Sequence, residues 1–193
     1  MVYEIVIQAL WLVLPAYIAN ASALLVGGGK PIDFGKKCKD GRRILGDGKT
    51  WRGFYAGAFV GIAAGFGFSV VAIYANNSDF AFLGLSDFGR FPIMIPIVIS
   101  ICFGALLGDI IESFFKRRIG KDRGENWIPF DQLDFILGAL LFSLIIATIL
   151  SIMGFSQGNW FIDSFSIWHI LTLLVVTPFF HLFANFVHRK SSQ

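Results

Sequence analysis

The chain has 193 residues, 55% of them hydrophobic and 15% charged, with a mean hydropathy of +0.69. That is too apolar for a soluble domain of this size and marks an integral membrane protein. A formal net charge of +3 says less than where the charges stand, and a basic surface pressed against lipid headgroups leaves no place for nucleic acid as a partner.

Uncharged intervals run over 5–29, 53–78, 91–108, 135–162 and 164–188. Each can cross a hydrocarbon layer about 30 Å thick, which takes roughly 20 helical residues. The expected fold is all-α: one polytopic membrane catalytic domain over 1–193 with five transmembrane helices. These are placed at about 5–26, 53–76, 91–117, 131–154 and 166–187, with two long loops at 27–52 and 116–130 on one face. Five spans put 15 of the 16 Lys and Arg residues on that face and leave Arg90 opposite. The positive-inside rule makes the face cytoplasmic, with the N-terminus outside and the C-terminus inside. Cys38 then lies in a cytoplasmic loop and Cys102 inside the third span, so no structural disulfide is expected. Glu4 is the only early charge, so the first segment reads as a retained helix, not a cleaved signal.

The first helix carries Pro15 and Asn20. Asn20 either serves a site at the cytoplasmic end or makes an interhelical hydrogen bond. The loop that follows is Gly-rich and basic. Anionic headgroups account for its Lys and Arg residues. Gly41–Arg42–Arg43 and Gly48–Lys49–Thr50 suggest something more specific, a backbone cradle for phosphate. It is not a P-loop, because the Gly-x4-Gly-Lys-Thr spacing is missing. In the second helix Gly53, Gly57, Gly61 and Gly65 form a small-residue ridge for close packing. The ridge serves either a neighbouring helix or a second copy of the chain, so a homodimer is a candidate assembly.

An outer loop leads through Pro92 and Pro96 into the third helix, which ends in Asp109, Glu112 and Ser113. A cationic loop holds Lys116, Arg117, Arg118, Lys121 and Arg123, and Pro129 opens the fourth helix with Asp131 and Asp134 close behind. A three-residue step puts both acids of each pair on one helical face. Asp131 and Asp134 also suit the positive end of a helix dipole. Asp109 has no such excuse, since an ionisable group inside an apolar interval is costly and points to function. Asp109, Glu112, Asp131 and Asp134 with basic groups beside them suit a divalent metal on a polyphosphate. The fifth helix holds His169 near the outside and His181 and Asn185 near the inside; the histidines read by default as packing residues, with substrate contact the alternative for His181.

Gly108–Asp109-x-x-Glu112–Ser113-x-Phe115–Lys116–Arg117, Lys121–Asp122-x-Gly124, Pro129 and Asp131-x-x-Asp134 resemble the signature of the CTP:phosphatidate cytidylyltransferases, the CDP-diacylglycerol synthases. Gly48–Lys49–Thr50–Trp51–Arg52–Gly53–Phe54 resembles that family's Pro-Gly-Lys-Thr-Trp-x-Gly-Phe segment. The bacterial His-Gly-Gly stretch is missing between Pro129 and Asp131, Gln132 replaces an Arg, and the chain is short; it is most similar to the archaeal branch, the CDP-archaeol synthases. The resemblance implies attack of a membrane lipid phosphate, archaetidic acid, on CTP at the cytoplasmic face, giving a CDP-lipid and pyrophosphate. It implies one or two Mg²⁺ on Asp109, Asp131 and Asp134 with Glu112 beside them. Lys116 and Lys121 would act on the reacting phosphates, and Lys49, Thr50, Arg43, Ser113, Arg117 and Asp122 would bind the nucleotide. Two rivals fit less well. A CDP-alcohol phosphotransferase needs an Asp-Gly-x-x-Ala-Arg run, of which Asp40–Gly41–Arg42–Arg43 has only the start. An ion or proton carrier needs polar groups across the third helix, where residues 91–108 offer only Ser100.

Overall fold

The structure, a computed structural model, describes residues 2–122, 124, 125 and 127–191, with side chains described only as far as residue 180. Among the described residues six helices follow in order: α1 Val2–Leu25, α2 Trp51–Asn76, α3 Met94–Arg118, α4 Phe130–Ile152, α5 Trp160–Ser164 and α6 Ile167–Ser191, with one 3₁₀ turn at Ala81–Leu83. Among the described residues there is no strand, only isolated bridges between Pro31 and Thr50 and between Lys37 and Arg43. Helices α1 to α4 are each long and apolar enough to cross a membrane, and α6 adds a shorter apolar stretch at Ile167–Phe180. Large side chains such as Phe59, Tyr74 and Val175 stand exposed on the outside, as bilayer contact requires. The chain is a multi-pass membrane protein.

The helix ends differ from expectation for local reasons. Helix α2 starts at Trp51 because Thr50 is its N-cap, with extended backbone and Oγ1 accepting from the Gly53 N–H at 3.1 Å. Helix α3 starts at Met94, after Pro92; a proline holds the residue before it out of helical conformation. Part of the expected outer loop near 154–163 folds as α5, whose N-cap Asn159 accepts from the Phe161 and Ile162 N–H groups.

Helix α1 runs against α2, α3, α4 and α6, while α3 and α4 make the most extensive pair. Glycines set both close approaches. A Cβ at Gly53 or Gly57 would lie 2.7 or 2.5 Å from the carbonyl oxygens of Ala23 and Ala19, and one at Gly61 2.6 Å from the Ala19 Cβ. Gly65 abuts Val98 on α3. The α2 ridge is therefore used inside the chain, and a second copy would need another surface. A second glycine seam, which the sequence reading did not single out, joins α3 to α4. A Cβ at Gly104 would stand 2.6 Å from the Gly138 carbonyl oxygen, and Gly108 abuts the carbonyl of Asp134.

The bundle has two polar ends. At one, the loop between α1 and α2 is tied to the end of α3: Arg118 pairs with Asp40 at 2.8 Å, and Arg42 donates to the Arg118 carbonyl at 3.1 Å. At the other, Gln8 donates to the Leu83 carbonyl, Trp11 to the Ser86 carbonyl, and Gln8 Oε1 meets His169 Nε2 at 3.2 Å. His169 is thus a hydrogen-bonded packing residue far from the acids. Arg123 lies outside the described residues, as do the side chains of His181 and Asn185.

Candidate functional site

The loop between α1 and α2 folds around Asp33, which sequence reasoning passed over. Its buried carboxylate accepts from the backbone N–H groups of Gly35, Leu45 and Gly46, each at 3.0 Å, and from Arg43 at 2.8 and 3.2 Å. Gly46 reaches it with φ +97°, a conformation that side chains rarely adopt, while a Cβ there would press 3.3 Å from the Arg117 guanidinium. Burial alone would raise the Asp33 carboxyl. The Arg43 guanidinium and the three N–H groups outweigh it and hold the group well below the usual carboxylate range. The Asp33→Ala change strips four donors of one acceptor, for an expected loss of about 3 kcal/mol. Because the folded value is depressed, the contribution is present above an unfolded value near 4 and is lost as pH falls through the folded value. Thermal unfolding in detergent should show a gap between wild type and variant at pH 7 that narrows well below pH 4. A gap constant down to pH 3 would rule this out.

Two isolated contacts, Ile32 N–H to the Lys49 carbonyl at 2.8 Å and Trp51 N–H to the Lys30 carbonyl at 3.2 Å, hold the end of this loop. Lys49 is thereby set facing α3, and its ammonium pairs with Asp109 at 2.5 Å. Thr50 uses its oxygen as the α2 cap, which leaves its O–H to donate elsewhere.

The last turns of α3 bury an unusual run of polar groups: Glu112, Ser113, Lys116 and Arg117. Lys116 pairs with Asp131 on α4 at 2.6 Å and stands 3.9 Å from Glu112. The other Asp131 oxygen accepts from the Trp127 N–H at 2.7 Å, so the expected role at the helix start is partly met. Since Gly108 lets the α4 backbone approach at Asp134, carboxylate oxygens of Asp109, Glu112 and Asp134 all fall within 4.8 Å of one another. Three carboxylates that close can hold a metal ion. Glu112 Oε1 adds to this: it is buried and makes no hydrogen bond among the described residues, and the Lys116 ammonium at 3.9 Å is too far to supply one. Asp131, expected with these three, lies next to Glu112 and lines the same cavity as Asp109 and Asp134, with its oxygens also engaged by Lys116 and the Trp127 N–H.

The acids border a polar cavity of about 170 Å³ lined by Asn20, Lys49, Thr50, Asp109, Asp131 and Asp134, with Phe54, Leu106 and Ile110 on its apolar side. An apolar groove of about 330 Å³ runs between α3 and α4, walled by Ile111, Phe115, Phe130, Leu137 and Leu141, and it also reaches Glu112 and Asp134. Asp134 borders both spaces. The remaining expected residues divide. Arg43, Arg117, Lys121 and Asp122 line a separate polar cleft of about 440 Å³ between the two loops. There Arg43 is engaged by Asp33 and Asp47, and Arg117 donates to the carbonyls of Leu45 and Lys121. Ser113 lines none of these spaces; its hydroxyl reaches Glu112 at 3.4 Å.

A family model described as CarS-like, CDP-archaeol synthase, matches residues 2–192. CDP-archaeol synthases similar to the chain include that of Methanosarcina barkeri, 41% identical over 90% of this chain and 93% of its own length. Those of Thermococcus kodakarensis, at 42% over 92% and 88%, and Methanospirillum hungatei, at 44% over 92% and 95%, are comparable. A solved structure described as an intramembrane enzyme for archaeal membrane lipid biosynthesis aligns with a TM-score of 0.68 at 35% identity, covering 92% of both chains.

Proposed function

The chain belongs to the CarS-like CDP-archaeol synthase family, and from that premise we propose that its acidic cavity is where CTP and a membrane lipid phosphate react. The enzyme is a nucleotidyltransferase: it transfers cytidylyl from CTP to archaetidic acid. One oxygen of the lipid phosphate bonds to the α-phosphorus of CTP as the bond from that phosphorus to the β-bridging oxygen breaks. CDP-archaeol forms and pyrophosphate leaves. No strong base is needed, because a phosphate monoester is already largely dianionic at neutral pH. The protein's work is to bring two anions together in line and to neutralise them.

The residues present fit Mg²⁺. Asp109, Glu112 and Asp134 supply hard oxygen ligands, and Glu112 Oε1 is left without a hydrogen bond among the described residues, with only the Lys116 ammonium at 3.9 Å beside it. Bound there, one or two ions would polarise the α-phosphate and neutralise the departing pyrophosphate. Lys49 and Lys116, each reaching one acid of the cavity, set cationic groups beside the reacting phosphates, and Thr50 offers its O–H. Asp131 positions Lys116. Lys121, Arg117, Arg43 and Asp122, in the cleft between the loops, form the outer side of the nucleotide site. The lipid chains lie in the α3–α4 groove, which is apolar along its walls and ends on two of the metal carboxylates. The single observation that carries this reading is that Asp134 borders both the polar cavity and the lipid-facing groove.

Five spans, with α6 as the fifth, put the loops at 26–50 and 119–129 on one side, and they do touch. The charge asymmetry makes that side cytoplasmic and the N-terminus external. The whole chain then acts as one catalytic unit. The test is purified protein in detergent with labelled CTP, archaetidic acid and Mg²⁺. Pyrophosphate and CDP-lipid should appear together, only with the lipid phosphate present, and EDTA should abolish both until Mg²⁺ is restored. Pyrophosphate release without the lipid phosphate, or turnover unmoved by EDTA, would contradict the reading.

A further inference from the structure

The polar side chains of α1 are mostly spoken for. Gln8 bonds the Leu83 carbonyl and His169, Trp11 the Ser86 carbonyl, and Tyr17 meets Thr177 at 2.6 Å. These are the interhelical bonds that polar groups usually make inside a membrane bundle. Asn20 is different. Half-buried near the end of α1, its amide makes no hydrogen bond with any described residue, and it lines the cavity that Lys49, Asp109, Asp131 and Asp134 also line. Its amide is not a buried unsatisfied group; it opens into that cavity, where a bound molecule can reach it.

We propose that Asn20 is a substrate-binding residue, its side-chain N–H donating to a phosphate oxygen of the reacting pair. This rests on the reading that CTP and lipid phosphate meet in the cavity. The chemistry favours a donor role. The cavity already holds three carboxylates, the ammonium of Lys49 is committed to Asp109 and that of Lys116 to Asp131. A neutral donor can bind a phosphate oxygen there without competing for those acids. An amide accepting from substrate instead would be mimicked by a carboxylate, whereas a donor to phosphate would not.

The experiment measures KM for CTP and for the lipid phosphate separately in wild type, Asn20→Leu and Asn20→Asp, with thermal unfolding of each. Asn20→Leu should keep or raise Tm. It should raise one KM about tenfold or more, the effect of losing one hydrogen bond to a charged group. A rise for the lipid phosphate places the bond on the nucleophile, and a rise for CTP places it on the triphosphate. Asn20→Asp should be worse than Asn20→Leu. Unmoved KM values in Asn20→Leu, a fall in Tm that accounts for all lost activity, or an Asn20→Asp enzyme as good as wild type would each overturn the assignment. Large losses in Asp109→Asn and Asp134→Asn in the same assay confine that failure to Asn20; near-normal turnover in both defeats the cavity reading itself.

Discussion

Replacing Asp134 by Asn should lower CDP-lipid formation about 10³-fold, roughly 4 kcal/mol of lost transition-state stabilisation. The substitution keeps shape, and the amide oxygen can still accept from the Phe135 N–H that Asp134 bonds at 2.7 Å. What it removes is charge at the one side chain that, among the described residues, borders both the polar cavity and the apolar α3–α4 groove. Asp109→Asn should be nearly as severe. It takes a ligand from the three-carboxylate cluster and releases Lys49 from its 2.5 Å contact. Asp131→Asn should cost less, about tenfold to a hundredfold, because that group acts through Lys116. The comparison is a set of initial rates at saturating CTP and Mg²⁺, with unfolding curves showing that each variant is folded. An Asp134→Asn enzyme within a factor of about ten of wild type would defeat the assignment, and so would Asp131→Asn proving the worst of the three.

The second large effect should come from a residue with no functional group. Gly138 on α4 faces Gly104 and Gly108 on α3, and a Cβ there would stand 2.9 Å from the Gly108 Cα. The clash is with backbone, which cannot swing aside. Gly138→Val must push α4 away from α3, and with it Asp134 away from Asp109 and Glu112. Overpacking of this kind costs about 1–3 kcal/mol in stability. The loss of activity should be larger, about 10²-fold, because a displacement near 1 Å at a reacting site has that effect. Gly67→Val is the control: a Cβ there meets nothing within 4 Å, so turnover should stay near wild type. Equal activity in the two variants would show that the seam does not set the site.

Much of this was legible because membrane burial writes itself plainly into a chain. Uncharged intervals of the right length gave the helices α1 to α4 and α6 within a few residues, and the acid pairs marked where α3 and α4 meet. Other features were hidden because they depend on partners distant in sequence. Nothing local shows that Asp33 collects three backbone N–H groups and Arg43. Arg43 and Arg117 looked like anion binders, yet they spend much of their bonding on the loop itself. Asp131 and Asp134 were equivalent as a pair in sequence. Lys116 separates them, binding the first and leaving the second to the cluster. The seam had a signal, Gly104 and Gly108 four residues apart with Gly138 on the next helix, but it is weaker than the four-glycine ridge of α2. The burial of Glu112 with an oxygen that makes no hydrogen bond among the described residues has no sequence signal at all.

The central claim is that carboxylates from the end of α3 and the start of α4 hold the divalent cation of the nucleotide. Its most direct measurement is a crystal structure with CTP and Mn²⁺ in place of Mg²⁺, read by anomalous scattering. The account predicts a peak at bonding distance from oxygens of Asp109, Glu112 and Asp134, with the triphosphate reaching toward Lys49. A nucleotide-bound metal in the cleft of Arg43 and Asp47, or one that none of those three carboxylates touches, would contradict it.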